Sequence, residues 1–442
     1  MNIFLFIFFP ILFWSFSNRH KAFLVYAVMR IFLNEFIPFL ALPGVPMLRL
    51  SLVCDTFFLC YFLFKSYWNK RIPRDPLWRD FPLKRSFILM FFSLAISALL
   101  SSRDTLFQGV TMFWMTSVSS YIYVVLLWKE IKSEEDLKFV IYGTGMILIV
   151  AALYGVFQFL NGFENPLMAY EQSLNPNNDI KQKLLWEYSS EDRSGLGRVS
   201  SIFAHPIGGG CICAFWCFFF LSTKMAVPEL YKRLSIKNWL VYLFIFASLL
   251  MVILSNSRAP LVLFGISCLS LLRNKKILLI AVVGSIVIVL LSDTILGNYL
   301  NTFISIFDRS VEQKMGGGSN VSMRQSQFDA MFKVFFEQGM FFGDGLYSTR
   351  WWVSKNIGLL GAESVWIGLL LNQGIFGAVV YVMMMCSTAT HFRAPIRKIG
   401  VVSVVAWVVC KSVTSTPGCD ISMWFMVVIL FYKMQDMYWK RI

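Results

Sequence analysis

The chain has 442 residues, 57% hydrophobic and 15% charged, against about 45–50% and about 25% in a soluble domain. That balance excludes a soluble globular protein, and 44 Phe residues suit a lipid-facing surface better than an aqueous core. The net charge of +15 does not signify nucleic-acid binding, because most of it lies in short segments between apolar blocks, where it orients a chain in a membrane.

Apolar blocks close to the ~20 residues that cross a hydrocarbon core predict spans at 2–17, 22–42, 48–64, 86–101, 106–128, 139–160, 200–223, 239–255, 258–272, 276–296, 361–386, 399–415 and 420–435. The expected fold is all-α and polytopic, about 12–13 transmembrane helices in one membrane domain over 1–442. Residues 1–17 lack a basic leader and a small-residue cleavage site, so they are expected to be a retained span rather than a signal peptide. In the early spans Arg30, Glu35 and Asp55 are ionisable. An internal ion pair is the expectation there, although intramembrane charge keeps a functional role open.

The segments 18–21, 65–85, 129–138, 224–238, 273–276, 391–398 and 433–442 alternate to one side and hold 25 of the 40 Lys and Arg residues. That side is expected to be cytoplasmic. In 129–138, Glu134, Glu135 and Asp136 follow Ser133, which predicts a capping box at the head of the next span rather than a carboxylate site. His20 and His391 fall in these basic segments. Eight of the nine cysteines lie inside apolar blocks. Cys211, Cys213 and Cys217 follow a Gly triplet with no matching second pair, which argues against zinc. No repeat, P-loop, dinucleotide fingerprint or Ser-His-Asp order is present, and no cofactor is expected.

The opposite face receives two larger loops, 161–199 and 297–360. The second contains Gly316-Gly317-Gly318 and then an amphipathic helix over 322–338. Phe328, Met331, Phe332, Phe335 and Phe336 recur at helical spacing as its apolar face, with Arg324, Gln325, Gln327 and Asp329 opposite. The turn Phe342-Gly343-Asp344-Gly345 follows it.

Candidate chemistry gathers on this face. Arg258 lies between two apolar runs in Ser255-Asn256-Ser257-Arg258, where it either snorkels to headgroups or meets an anion. Arg198 stands where loop 161–199 becomes span, and Arg324 heads the amphipathic helix. Guanidinium forks suit a diphosphate and keep their charge, so Arg198, Arg258 and Arg324 can neutralise such a leaving group without metal. Glu363 opens the next span, either as an acid favoured by the helix dipole or as a general base toward a hydroxyl. His205, in Phe203-Ala204-His205-Pro206, is either a substrate-facing residue or a polar group at the boundary.

In this order, Gly197-Arg198-Val199-Ser200-Ser201-Ile202-Phe203, Ser255-Asn256-Ser257-Arg258, Ser322-Met323-Arg324, Phe342-Gly343-Asp344-Gly345, Glu363-Ser364-Val365-Trp366 and Asn372-Gln373-Gly374-Ile375-Phe376-Gly377 resemble the O-antigen polymerase and O-antigen ligase superfamily of bacterial envelope glycosyltransferases. The resemblance covers roughly 195–385. It implies a multi-pass protein of the inner membrane that transfers a glycan from an undecaprenyl-diphosphate carrier at the periplasmic face, without metal and with inversion. It also implies that Arg258 and Arg324 hold the diphosphate and that a residue at the Glu363 position acts on the acceptor. Ligases of the family tend to place His there, so Glu363 favours a polymerase over a ligase that moves polymer onto lipid A core. Ala259 also departs from the Gly common after the motif arginine. Implied partners are the lipid-linked oligosaccharide, membrane lipids and a chain-length regulator. A transporter or flippase is the competing class. It would be expected to keep its ionisable groups near the midplane and to show pseudo-symmetric halves.

Overall fold

The computed structural model describes residues 2–33, 37–40, 48–65, 77–101, 105–174, 197–203, 205–269, 271, 321–338, 341–359, 364–413 and 421–439. The expected span at 276–296, Glu35 and Glu363 lie outside the described residues, as do most of loop 161–199 and the Gly-rich part of loop 297–360. What is described is helical apart from one short antiparallel pair, β1 (Pro38–Leu40) with β2 (Leu48–Arg49). Among the described residues, five helical segments are long and apolar enough to cross a membrane: Ile3–Phe32, Leu106–Glu130, Glu134–Leu160, Pro206–Ala226 and Val365–Thr390. The chain is an all-α polytopic membrane protein.

The first helix, α1 (Ile3–Met29), leaves helical geometry at Asn18, with φ −141° and ψ 80°. Phe8 and Tyr26 have ring centroids 6.2 Å apart, whereas eighteen residues of straight helix would separate them by about 27 Å. The chain therefore doubles back at Asn18, whose side chain caps the second arm by accepting from Lys21 N–H at 3.1 Å. Two arms were expected here, but the second is shorter than 22–42. It closes in a 3₁₀ turn at Arg30–Phe32, and β1 follows. Pro38, which has no N–H for a helix, stands in that strand and faces Arg49.

α2 (Leu50–Leu63) and α3 (Lys84–Leu99) follow. Next come α4 (Leu106–Thr116), a π-helical stretch over Ser117–Ile122, and α5 (Tyr123–Glu130). The π-helical stretch turns Ser119 O toward Arg30, whose Nη2 donates to it at 2.9 Å. Arg30 also makes a two-pronged contact with Asp55, Nε to Oδ1 at 3.2 Å and Nη2 to Oδ2 at 3.1 Å. Its Nη1 donates to Ser422 Oγ at 3.0 Å, and the guanidinium lies 4.2 Å from the Tyr123 ring centre. Tyr26 completes the network by donating to Asp55 Oδ1 at 2.6 Å. Both charges are almost wholly buried, so the expected internal ion pair is present.

α6 (Glu134–Leu160) begins with the capping box predicted at Ser133 and Asp136. The acidic cluster does more than cap. His20 lies between Glu130 (2.9 Å) and Asp136 (2.8 Å), and Arg19 reaches Glu130 at 2.7 Å. Arg233 pairs with Glu134. His20 thus ties the turn of α1 to the α5–α6 connection, a role its basic surroundings in the sequence did not suggest.

The second half contains α7 (Pro166–Ser173), α8 (Pro206–Ala226), α9 (Pro228–Arg233), α10 (Asn238–Leu254) and α11 (Arg258–Leu269). It continues with α12 (Val321–Gln338), α13 (Ser348–Lys355), α14 (Val365–Thr390), α15 (Arg397–Val413) and α16 (Ile421–Trp439). α8 is the most enclosed, packed by α10 and α11. The span expected to start at 200 starts instead at Pro206, because residues 200–203 form a turn with Ser201 at φ +56°. Most buried side chains share one large core. Met331, Val334, Phe335, Trp352, Leu359, Ile367 and Leu371 form a second, small one.

Candidate functional site

Arg198 is placed by backbone and side-chain anchors on the three residues that follow it. The N–H of Val199 donates to Leu254 O at 3.1 Å, which pins this strand-like segment to the end of α10. Asn165 caps α7 with its Oδ1, while its Nδ2 donates to Ser200 Oγ (2.9 Å) and Ser201 O (2.8 Å). Gln158 Oε1 accepts from Ser201 N–H at 2.8 Å. α6 and α7 therefore fix the loop that carries Arg198, which is half-buried with a buried Nε.

Arg258 follows directly from the same contact. Leu254 ends α10, Asn256 turns the chain in the left-handed region at φ +42°, and Arg258 begins α11. Asn tolerates that conformation better than most residues. Ser257 Oγ donates to Ser255 O at 2.8 Å, which tightens the turn. Gly210 makes room for it, since a Cβ there would stand 2.5 Å from Pro260 Cγ and 2.6 Å from Ser255 Oγ. Arg258 is half-buried with a buried Nε. A cation in the first turn of a helix is disfavoured by the helix dipole, whereas an anion there is stabilised.

His205 stands between the two arginine segments in the chain, as the N-cap of α8. Its Nδ1 accepts from Ile207 N–H at 3.1 Å, so the ring's hydrogen belongs on Nε2. Burial, with the Arg198 charge adding to it, pushes the imidazole pKa down to about 3. Near neutral pH it is an uncharged ring whose Nε2–H is a donor, which suits contact with an anion better than proton abstraction.

The neighbouring wall belongs to α12–α15. Trp366 Nε1 donates to Ser412 Oγ at 2.7 Å, and Cys410 Sγ lies 3.8 Å from Ala259 O. The head of α14 and the head of α11 thus meet the same end of α15. Glu363 lies outside the described residues; Ser364, its neighbour, caps α14 by accepting from Trp366 N–H. Lys411, between Cys410 and Ser412, stacks its ammonium 4.9 Å from the Trp407 ring centre. The sequence pattern did not single it out, because one lysine near a helix end usually serves the helix dipole.

α12 forms where the amphipathic helix was expected. Met331, Val334 and Phe335 are buried against Trp352, Leu359, Ile367 and Leu371, and Gln327 is buried with them, while Phe332 and Phe336 are exposed. Apolar periodicity alone could not decide between the Met331–Phe335 edge and the Phe332–Phe336 edge, and the partners on α13 and α14 chose the first. Gln327, assigned to the polar side, belongs to the buried one. Arg324 lies one turn before it, half-buried, with a buried Nη1.

α14 is broken at Gly374, with φ +67° and ψ −163°. The turn after α12 sits in the break. Phe376 N–H donates to Phe341 O at 3.2 Å, where a continuous helix would pair it with Asn372 O. Leu371 O accepts from Asp344 N–H at 2.9 Å and from Ser348 Oγ at 3.0 Å. Ser93, Ser97 and Ser101, four residues apart along α3 and its end, donate to Gln373 Oε1, Asn372 O and Asp344 O. Only glycine allows the approach, because a Cβ at Gly374 would run into Phe341 O and one at Gly343 into Asn372 O. The segments Phe342–Gly345 and Asn372–Gly377, separate in the sequence, are one structural unit.

No protein-family model, curated protein sequence or solved structure matches the chain. The site is therefore described by its own geometry. Of the four described candidates, Arg198 and Arg258 stand on segments joined at Leu254, His205 feels the Arg198 charge, and Arg324 stands on α12, which packs against α14. Among the described residues no cluster of His, Cys, Asp and Glu could hold a metal ion.

Proposed function

We propose that the protein is a polymerase that joins undecaprenyl-diphosphate-linked oligosaccharide repeat units into O-antigen or a related surface polysaccharide at the periplasmic face of the inner membrane. The observation that carries this reading is the pinning of Arg198 and Arg258 to one site through the Val199–Leu254 bond, with Arg258 at a helix N-terminus and the neutral His205 as N-cap beside them. Two guanidinium groups and an N–H donor answer the oxygens of a diphosphate.

In this mechanism the acceptor hydroxyl of one lipid-linked unit attacks the anomeric carbon of another. The carbon–oxygen bond to the diphosphate breaks, and the leaving group's negative charge develops toward Arg198, Arg258 and Arg324. Glu363 takes the hydroxyl proton. A single displacement inverts the anomeric centre, and its acceleration comes from placing the two lipid-linked substrates and from fixed positive charge. Arg198 lies in a loop and Arg258 and Arg324 lie in the first turns of their helices rather than mid-span, which favours transfer chemistry at a face over a transport path through the midplane.

Deleting the gene and separating surface polysaccharide on a gel tests the reading. Collapse of the ladder to core plus one repeat unit is expected. Bare core with polymer left on its lipid carrier would identify a ligase instead, and an unchanged ladder would defeat both assignments. Transfer is expected to survive EDTA, and Glu363→Gln is expected to stop it.

A further inference from the structure

We propose that Asn372 is a positioning residue, one that locks the Phe341–Thr349 segment into the break of α14 and thereby sets where Arg324 stands against the head of that helix. The proposal rests on the transfer reading above. Asn372 Oδ1 accepts from Ser348 Oγ (3.1 Å), Thr349 N–H (3.0 Å) and Thr349 Oγ1 (2.7 Å), so one carboxamide oxygen gathers the start of α13. Its main-chain carbonyl meanwhile takes the Ser97 hydroxyl of α3. α13 and the turn after it supply Trp352 and Leu359 to the small core, and α12 rests on that core through Met331, Val334 and Phe335. Trp352 is itself held by its Nε1–H donating to Asp344 Oδ2 at 3.1 Å. The path from Asn372 to the Arg324 helix is thus a continuous set of packed and hydrogen-bonded groups.

The break gives this anchor its leverage. Inside a bilayer every backbone group needs a partner. The broken form meets that demand only while the turn is docked, with Phe376 N–H on Phe341 O and Asp344 N–H on Leu371 O. A straightened helix would pair Phe376 N–H with Asn372 O and Leu371 O with Ile375 N–H, and would leave Phe341 O and Asp344 N–H of the turn without a seat. Asn372 biases the choice toward the docked form. Because a misplacement of about 1 Å costs about a hundredfold in a positioned reaction, loosening the turn should lower turnover while leaving donor binding near the Arg198–Arg258 wall intact.

The test compares Asn372→Ala with Asn372→Asp, which keeps an acceptor oxygen at the same place. Each variant is measured in vesicles with the lipid-linked repeat unit. In parallel, each carries Leu346→Cys as a reporter in the docked turn, where Leu346 is buried, and maleimide labelling is read by mass spectrometry. For Asn372→Ala we expect kcat to fall at least tenfold, KM to stay within twofold, and labelling to rise at least fivefold. Asn372→Asp should stay within about twofold of the parent in all three. Parental turnover in Asn372→Ala, equal impairment in Asn372→Asp, or a fall in kcat without a rise in labelling would each overturn the proposal. If the parent chain itself makes no polymer, the transfer reading fails and takes the positioning role with it, whereas the labelling contrast separately decides whether Asn372 holds the turn.

Discussion

Arg30 and Arg258 are both arginines set among apolar helices, yet the molecule treats them in opposite ways. Arg30 is sealed. Asp55, Ser119 O, Ser422 and the Tyr123 ring surround its guanidinium, and Tyr26 secures the carboxylate. Arg258 is half-buried, heads a helix whose dipole opposes its charge, and follows a turn whose Leu254 carbonyl also anchors the Arg198 segment. A charge enclosed on all sides holds helices together. A charge placed against its local field is suited to meeting an anion from outside.

Removing one member of the sealed network should have the largest effect. Asp55→Asn leaves Arg30 buried without its counter-ion and should cost about 3–5 kcal/mol, seen as a lower unfolding temperature and less folded protein in detergent. The double variant Arg30→Met with Asp55→Leu should recover most of that loss. Failure to recover would mean that the network does more than join helices.

At the open site the loss should appear in activity instead. Arg258→Ala should lower transfer by about 10²–10³-fold, the range for losing one preorganised donor to developing charge, with the folded yield unchanged. Normal polymer in that variant would erase the contrast between the two arginines. Gly210→Ala probes the same site by packing. Its methyl must displace Pro260 or Ser255, and overpacking of this kind costs about 1–3 kcal/mol. Both stability and transfer should fall, since Ser255 belongs to the turn that presents Arg258.

His205 sharpens the comparison through pH. Its folded pKa, about 3, lies below the ordinary 6.5, so the unfolded chain takes up a proton first as pH falls. Stability from this group is therefore complete above about 6.5 and declines by about 1.4 kcal/mol per pH unit from there toward about 3. His205→Asn, which keeps an N-cap acceptor, should remove that part of the slope. An unchanged slope would show that His205 does not stay neutral. The smallest effect belongs to Ser133→Ala, which removes half of the capping box and should cost about 1 kcal/mol by thermal unfolding.

Residues that carry their own physical signature were legible in the sequence. The capping box at Ser133 and Asp136 is a local pattern, and it formed as expected. Arg30 and Asp55 announced a pair because buried charge needs one. Legibility stopped where partners are distant. Gly374 looks like any small residue in an apolar run, and only the docked Phe341 carbonyl explains it. His20 sits in a basic stretch that hides its two carboxylates, which lie more than a hundred residues away. Gln327 followed the polar stripe of α12 in the sequence yet is buried, because the small core claimed the other edge of the helix.

By itself the sequence determined that the chain is helical and crosses a membrane, since backbone groups in hydrocarbon must be paired within the segment that carries them. It also named four of the residues that stand at the candidate site. Tertiary structure alone decided that α1 folds back at Asn18, that Arg198 and Arg258 share one anchor, and that α14 breaks to receive a distant turn. Each of these depends on a hydrogen bond or packing contact between residues far apart in the chain. Hydrophobic periodicity records only which face is apolar, not which neighbour will cover it.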